Sequence, residues 1–464
     1  MLIGYTFVDP LVVIFGTIIA AYFLVMRPMG LVPYLPAALS IYFFIATVTL
    51  LTLWQTVPLL LAARAIFQGK LEFRASAALL LALFAVAIGV SFVYGGVAGS
   101  DLFRALVRLA YYVGIVGVVL FCYEMGRSRE GYRLFLKGLV ITGLVFAAYG
   151  AYQLVAELTG LPYRAILRGT NFAQSAYESG LVRVNSLASE PKRLGYVLMV
   201  CGLACFFYPA RTARTRRQLP YAGAFIIATS VLTFAWSYFI AAAIFAILAL
   251  SFYRYRLGSI LPVAAVAALA VVFMPAEWGL QTAIVDGYER RAAEVEVGVD
   301  GENVYRQDFY GWDYIAREPA TMVAGVGLGQ YFGVLNDEYG RGVGLSLGGE
   351  LLPFNSNFLE IIFDFGGIIA AIFYGALGWL VWQLRRAKET YLSLALLFLL
   401  IQSFSIVTLL FVVMFAGFGL GRLDLAESVP AKRPQPIRFG PERGRAGSRR
   451  PGPAAGRGAA ATSD

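Results

Sequence analysis

The chain has 464 residues, of which 59% are hydrophobic and only 14% are charged, and its mean hydropathy is +0.70. A soluble domain of this length does not need so much apolar surface, so the composition predicts an all-α polytopic membrane protein. The sequence has no histidine, and its three cysteines, Cys122, Cys201 and Cys205, fall in apolar segments as expected of buried thiols. We therefore expect no metal and no cofactor, and catalysis would have to use Arg, Lys, carboxylates, Tyr or hydroxyl groups.

Apolar segments that could cross a membrane recur along the chain. A hydrocarbon core of about 30 Å needs roughly 20 apolar residues per helix. On this basis we predict about twelve transmembrane helices, counting two short helices in each of the two longest segments. The first segment is interpreted as a membrane span and not as a cleaved signal peptide. The predicted spans are 9–26, 35–60, 76–96, 103–123, 134–156, 194–210, 220–251 (two), 259–275, 357–384 and 390–421 (two).

Charge is distributed unevenly along the chain, whose formal net charge is +10. Residues 276–356 contain thirteen acidic residues against five arginines, whereas residues 431–464 contain eight basic residues against two acidic ones. With twelve spans, the short basic loops and the basic tail all lie on one side of the membrane. The positive-inside rule places that side, with both termini, in the cytoplasm and leaves 157–193 and 276–356 outside.

The spans and loops define the predicted domain organisation. The basic tail cannot form a hydrophobic core, so we expect it to be disordered, either as a topology anchor or in contact with anionic lipid. The predicted units are N-terminal transmembrane helices over 1–156, a first outer loop over 157–193, central transmembrane helices over 194–275, a large extracytoplasmic loop over 276–356, C-terminal transmembrane helices over 357–421 and the tail over 422–464.

Basic and acidic residues gather where the first outer loop meets the next membrane helix: Arg183, Glu190, Lys192 and Arg193. Pro191 suits the first turn of a helix, and Ser189 suits its N-cap. One interpretation is a capped helix start with cations at the membrane interface. The alternative is a cationic pocket for a diphosphate, which arginine binds through its planar fork of donors.

The second outer loop contains an aromatic segment followed by a glycine-rich turn. Apolar side chains at Tyr305, Phe309, Trp312 and Ile315 recur at helical intervals and predict an amphipathic helix. Arg306 lies at the start of that helix, where it could form a surface salt bridge or face a ligand. After Pro319, glycines alternate in the sequence AGVGLGQYF, a pattern typical of a tight turn or a close backbone approach.

A polar cluster opens the next predicted span and consists of Asn355, Ser356, Asn357, Glu360 and Asp364. Asn357, Glu360 and Asp364 follow the spacing i, i+3, i+7, so they share one helical face. Carboxylates in a membrane helix are costly and normally face the bundle interior or a water-filled cavity. They either pack helices together or form a functional site.

Three of these patches, in this order, resemble the O-antigen polymerase/ligase family of bacterial envelope enzymes. The patches are RVNSLASEPKRLGYVLM, the Trp312 to Phe332 segment with its GVGLG turn, and NSNFLEIIFDFGGIIA. The resemblance covers about residues 180–420. Two departures, Asn355-Ser356 in place of His-Asn and Ser237-Tyr238 in place of Ser-Arg, favour a polymerase over a ligase.

The resemblance implies a GT-C-like membrane glycosyltransferase of the bacterial inner membrane that joins repeat units carried on polyprenyl diphosphate. It implies that Arg183, Lys192 and Arg193 bind the diphosphate and that Arg306 neutralises donor or transition-state charge. Glu190 or Glu360 would be the base for the acceptor hydroxyl, and Asn355, Asn357 and Asp364 would bind substrate. Expected partners are the lipid-linked glycan, the bilayer and a chain-length regulator or export proteins, with no nucleic acid. The first alternative is a ligase that transfers the glycan to another acceptor. The second is a lipid-glycan transporter or flippase.

Overall fold

The computed structural model describes eleven stretches of the chain, and the fold given below concerns these residues alone. Predictions at Arg183, Glu190 and Arg306, the span 259–275 and most of the tail lie outside them. Met1–Glu427 forms one compact unit, and of the second unit, Ser428–Asp464, only Ser428 is described. The described residues are 8–40, 53–68, 75–98, 101–163, 184–188, 191–210, 212–233, 235–252, 307–339, 354–406 and 408–428.

The described residues form seventeen helices and no strand, in agreement with the predicted all-α class. The helices are α1 (Val8–Met26), α2 (Pro28–Leu31), α3 (Leu35–Ser40), α4 (Leu53–Gln68), α5 (Ala75–Ala98), α6 (Leu102–Gly126), α7 (Arg129–Thr159), α8 (Pro191–Phe207), α9 (Ala213–Val231), α10 (Trp236–Phe252), α11 (Gln307–Arg317), α12 (Ala320–Ala324), α13 (Tyr331–Tyr339), α14 (Asn357–Phe365), α15 (Gly367–Arg386), α16 (Thr390–Gln402) and α17 (Leu409–Ser428).

Four helices in the described part of the chain, α6, α7, α15 and α17, are long and apolar enough to cross a membrane. Shorter apolar helices lie within α1, α4, α5, α10 and α16. This pattern fits an all-α membrane protein. The number of helices long enough to span a membrane is below the predicted twelve, because several predicted spans are short helices and one lies outside the described residues. The pattern also does not define a GT-C-like fold.

The segments predicted to contain two helices do so. Residues 220–251 divide between α9 and α10, and residues 390–421 divide between α16 and α17. The prediction of one continuous span over 357–384 is wrong, because the chain breaks at Gly366, whose φ of +86° lies in the left-handed region. Helix α17 continues past the predicted boundary at 421, to Ser428.

The helices pack around a core that includes α6, α7, α8 and α16. Helices α4 and α5 contact α6, the three helices α7, α8 and α9 contact one another, and α16 contacts α8, α10 and α15. Small residues permit the closest approaches: a Cβ at Gly126 would lie 2.8 Å from the carbonyl oxygen of Phe418 on α17. The three cysteines are buried thiols, as predicted.

The two ends of α6 have different polar neighbours. Near its C-terminal end, Arg127 pairs with Asp424 at 2.9 Å and Arg64 pairs with Glu124 at 2.6 Å. Near its N-terminal end, the backbone N–H of Asp101 donates to the side chain of Gln330, from the loop predicted to lie outside. The structure thus groups residues of the predicted basic loops at one end of α6 and part of the second outer loop at the other.

Candidate functional site

The predicted glycine turn lies against the break between α14 and α15. The φ angles of Gly325, Gly327 and Gly329 are +72°, +94° and +72°, which side chains with a Cβ rarely adopt. A Cβ on Gly325 would lie 2.7 Å from the carbonyl oxygen of Phe363, and the N–H of Val326 donates to that same oxygen at 2.7 Å. The prediction of a tight turn with a close backbone approach is confirmed.

Asp364, near the end of α14, connects this turn to α5 and α6. Its Oδ2 accepts hydrogen bonds from Arg108 Nε and from the Tyr112 hydroxyl, both at 2.7 Å. Its Oδ1 accepts from the N–H of Gly329 at 3.0 Å, and its backbone carbonyl accepts from the Ser91 hydroxyl. With its side chain fully buried, Asp364 contacts protein groups through both carboxylate oxygens.

Glu360, one turn earlier on α14, shares the same arginine. Its Oε2 lies 3.2 Å from Arg108 Nη2 and accepts from the Asn357 amide at 3.2 Å. The guanidinium of Arg108 also lies 5.1 Å from the ring centroids of both Tyr111 and Tyr112, within cation–π range. One cation therefore serves two buried carboxylates, and the inward orientation predicted for this face of the helix is confirmed.

Asn357 fixes the start of α14 against the turn between α16 and α17. Its N–H donates to the carbonyl of Ser403 at 3.0 Å, and its side-chain oxygen accepts from the N–H of Thr408 at 2.5 Å. Ser356 caps the helix by accepting from the N–H of Leu359 at 3.4 Å. Asn357 is therefore held by backbone groups of a neighbouring segment, whereas Ser356 caps its own helix.

The first and third sequence patches meet at Lys192 and Asn355. Lys192 Nζ donates to Asn355 Oδ1 at 2.5 Å, although 163 positions separate the two residues. The N–H of Asn355 donates to Asp308 Oδ1 at 2.9 Å, which brings the loop helix α11 into the same cluster. Burial raises the pKa of the Asp308 carboxyl above its ordinary value, while the Asn355 N–H and the nearby Lys192 act in the opposite direction.

Arg193 lines a small pocket beside this cluster, between α3, α6, α8 and the start of α17. Arg108 and Arg193 both lie close enough to the phenol of Tyr111 to interact with it electrostatically. Tyr111 therefore contacts the arginine of the carboxylate cluster and also lines the pocket. The polar lining comes from Ser40, Tyr111, Arg193, Tyr196 and Thr408, and the apolar lining from Leu39, Val197, Leu409, Leu410 and Phe411.

The structure adds residues that the sequence interpretation did not single out, above all Arg108, Tyr112 and Asp308. Arg108 lies inside an apolar span of α6, and an ionisable residue in such a position is by default a candidate for function. That signal was present in the sequence. The partnership with Asp364 was not, because it joins two helices that are far apart in the chain.

The predicted site residues thus fall into two sets. Lys192, Asn355, Asn357, Glu360 and Asp364 lie in one connected region with Arg193 close by. Arg183, Glu190 and Arg306 lie outside the described residues, and their roles stay predictions. Within the described part of the chain, no group of three or more His, Cys, Asp or Glu side chains could hold a metal ion.

The fold and the site together define an all-α membrane protein with a buried charged cluster at one end of its helices. No protein-family model matches the sequence, and no curated protein matches it. The family resemblance therefore rests on the residues and motifs quoted above.

Proposed function

We propose that the protein polymerises polyprenyl-diphosphate-linked oligosaccharide repeat units at the outer face of the bacterial inner membrane. The contact between Lys192 and Asn355 carries this proposal, because it joins the cationic start of α8 to the polar start of α14. Such a junction offers cations, amides and carboxylates at one place. In this proposal the chain has about twelve spans in a GT-C-like arrangement, with both termini in the cytoplasm.

The reaction needs neutralisation of charge more than strong acid–base chemistry. The acceptor hydroxyl oxygen attacks the anomeric carbon of the donor, and the bond from that carbon to the diphosphate oxygen breaks with its electron pair leaving on the diphosphate. Lys192 and Arg193, with Arg183 and Arg306, stabilise that leaving charge. The hydroxyl proton passes to a carboxylate, either Glu190 or Glu360.

The contacts within the cluster suggest different roles for its two buried carboxylates. Asp364 already accepts hydrogen bonds at both oxygens, so it is better suited to positioning the glycine turn than to binding substrate. Glu360 is held through one oxygen by Arg108 and Asn357. We infer that Arg108 positions Glu360, the candidate general base, through this contact.

Two alternatives use the same region differently. A ligase would take the same donor and transfer the glycan to another acceptor. A flippase is favoured by one observation, the break at Gly366 between α14 and α15, because broken helices often line transport sites. The sequence shows no clear repeat between its halves, and this absence supports the polymerase.

The test is an assay of the purified protein in lipid nanodiscs with extracted polyprenyl-diphosphate-linked repeat units, followed by mass spectrometry of the products. A polymerase lengthens the glycan. Lys192→Met should raise the KM for donor about 10- to 100-fold, the equivalent of one charge-assisted hydrogen bond. The control is Lys137→Met, an exposed lysine on α7, which should leave KM unchanged. Movement of unaltered lipid-linked glycan across proteoliposomes, without lengthening, would instead establish a flippase.

A further inference from the structure

The hydroxyl of Thr408 is buried at the pocket beside Arg193 without a hydrogen-bond partner among the described residues. The residue is 2% exposed, and its backbone N–H is already bound to Asn357. Leaving a buried hydroxyl unsatisfied destabilises a fold, and a valine would fill the same space without that cost. A ligand that supplies a hydrogen-bond partner would explain why a threonine stands at this position.

The pocket itself indicates the chemistry of that partner. It encloses about 30 Å³, which is enough for one or two groups the size of water. Apart from Arg193, the polar residues that line it all carry hydroxyl groups: Ser40, whose hydroxyl donates to the carbonyl of Pro36, and Tyr111, Tyr196 and Thr408. Hydroxyl groups both donate and accept hydrogen bonds, as a sugar hydroxyl does. The size and the lining together fit a single hydroxyl or hydroxymethyl group.

The pocket is also linked to the candidate base. The N–H of Thr408 donates to Asn357 Oδ1, and the amide of the same asparagine donates to Glu360 Oε2 at 3.2 Å. A hydroxyl-bearing ring held at Thr408 would thus lie one residue away from the carboxylate cluster. That position suits the acceptor, whose own hydroxyl must approach a carboxylate.

We propose that this pocket is a subsite for a neutral hydroxyl group of the acceptor sugar and that Thr408 Oγ1 is its hydrogen-bond partner. The inference rests on the proposed function and specifies which part of the substrate this end of the site recognises. Thr408 is then a specificity-determining residue. It orients the acceptor and takes no part in breaking or forming the glycosidic bond.

The test compares Thr408→Val with two other variants in the nanodisc assay. Thr408→Val removes an unpartnered hydroxyl, so its Tm should equal or exceed that of the unaltered protein, while the KM for acceptor rises about tenfold and kcat changes less. Thr408→Ser restores the hydroxyl and should restore KM. The matched control is Thr229→Val on α9, whose buried hydroxyl donates to the carbonyl of Phe225 at 2.9 Å. It should lower Tm and leave KM unchanged.

A second probe, a panel of methyl glycosides, is measured by saturation-transfer NMR and separates this inference from the proposed function. If the unaltered protein binds a glycoside and Thr408→Val abolishes that binding, the subsite is supported. This holds even if no glycan is lengthened, and the failure to lengthen would overturn only the proposed polymerase activity. If Thr408→Val still lengthens the glycan with an unchanged KM for acceptor, the subsite is overturned and the polymerase activity is not. A lowered Tm in Thr408→Val, like that of Thr229→Val, also overturns it, because the hydroxyl would then have an internal partner such as ordered water.

Discussion

The Nε atom of Arg108 lies 2.7 Å from Oδ2 of Asp364, across a sequence separation of 256 residues. The carboxylate is fully buried, and the arginine side chain is 15% exposed. Moving such charges out of water is costly, so the pair adds little net stability by comparison with apolar residues, whereas removing one partner leaves an uncompensated charge. The contact is therefore best understood as a device that fixes how α6, the glycine turn and α14 meet.

The first prediction concerns this ion pair. Arg108→Gln should lower the free energy of unfolding by about 3–5 kcal/mol, because it leaves Asp364 and Glu360 without their cation. The measurement is denaturant or thermal unfolding of the purified protein in detergent micelles. The control is Arg104→Gln, one turn earlier on α6, whose pair with Asp101 is partly exposed. That variant should change stability by at most about 1 kcal/mol.

A double variant makes the first prediction sharper. Adding Asp364→Asn to Arg108→Gln removes one of the two unpaired buried carboxylates and should recover part of the lost stability. Equal losses in Arg108→Gln and Arg104→Gln, or additive losses in the double variant, would contradict a buried electrostatic role for Arg108.

The second prediction concerns the break between α14 and α15. Gly366→Ala should destabilise the protein by about 1–3 kcal/mol or more, because φ is +86° and an added Cβ would overlap the carbonyl oxygen of Val323. Gly375→Ala, within α15, is the matched control. A Cβ there meets nothing within 4 Å, and alanine favours a helix by up to about 1 kcal/mol. Thermal unfolding measures both, and similar effects of the two variants would rule out strain at Gly366.

The third prediction concerns the pH dependence of stability through Asp308. Burial raises the pKa of this carboxyl in the folded state, so the folded protein binds the proton more tightly than the unfolded chain. The contribution of protonated Asp308 to stability is fully present below the ordinary pKa of a carboxyl group. It is lost as pH rises through the raised pKa that Asp308 has in the folded protein. Asp308→Asn cannot titrate and does not lose this contribution. The unfolding free energy of the variant minus that of the unaltered protein should therefore increase as pH rises across that window.

Denaturant unfolding of both proteins between about pH 4 and 7 checks the Asp308 prediction. The difference in unfolding free energy should be smallest at the acid end and should level off once Asp308 is ionised in both states. A difference that is constant with pH, or that decreases as pH rises, would mean that the Asn355 and Lys192 contacts outweigh burial.

The fourth prediction concerns orientation in the membrane. Glu318 follows α11 in the predicted outer loop, and Arg214, at the start of α9, belongs to a predicted cytoplasmic loop. Both residues are exposed. In spheroplasts, a membrane-impermeant maleimide should label Glu318→Cys and should label Arg214→Cys only after lysis. The three native cysteines are buried and provide a low background. Labelling of Arg214→Cys in intact spheroplasts would contradict the predicted orientation.

Much of the local structure could be predicted because its causes are local. Alternating glycines indicate a turn that needs positive φ, and the spacing of Asn357, Glu360 and Asp364 places them on one helical face. The divided segments 220–251 and 390–421 follow from length alone, since each exceeds one span. The break at Gly366 was harder to predict, because an isolated glycine in an apolar helix often does not interrupt the helix.

By itself, the sequence determined that this is an all-α membrane protein, that its glycine turn is tight and that its carboxylates on α14 face inward, since composition, periodicity and the cost of burying charge are properties of short segments. Only the tertiary structure decided that Arg108 is the partner of Asp364, that Lys192 meets Asn355 and that Thr408 faces a pocket. Those pairings depend on which helix packs against which. Packing is settled by the shapes of whole helix surfaces and not by any one segment.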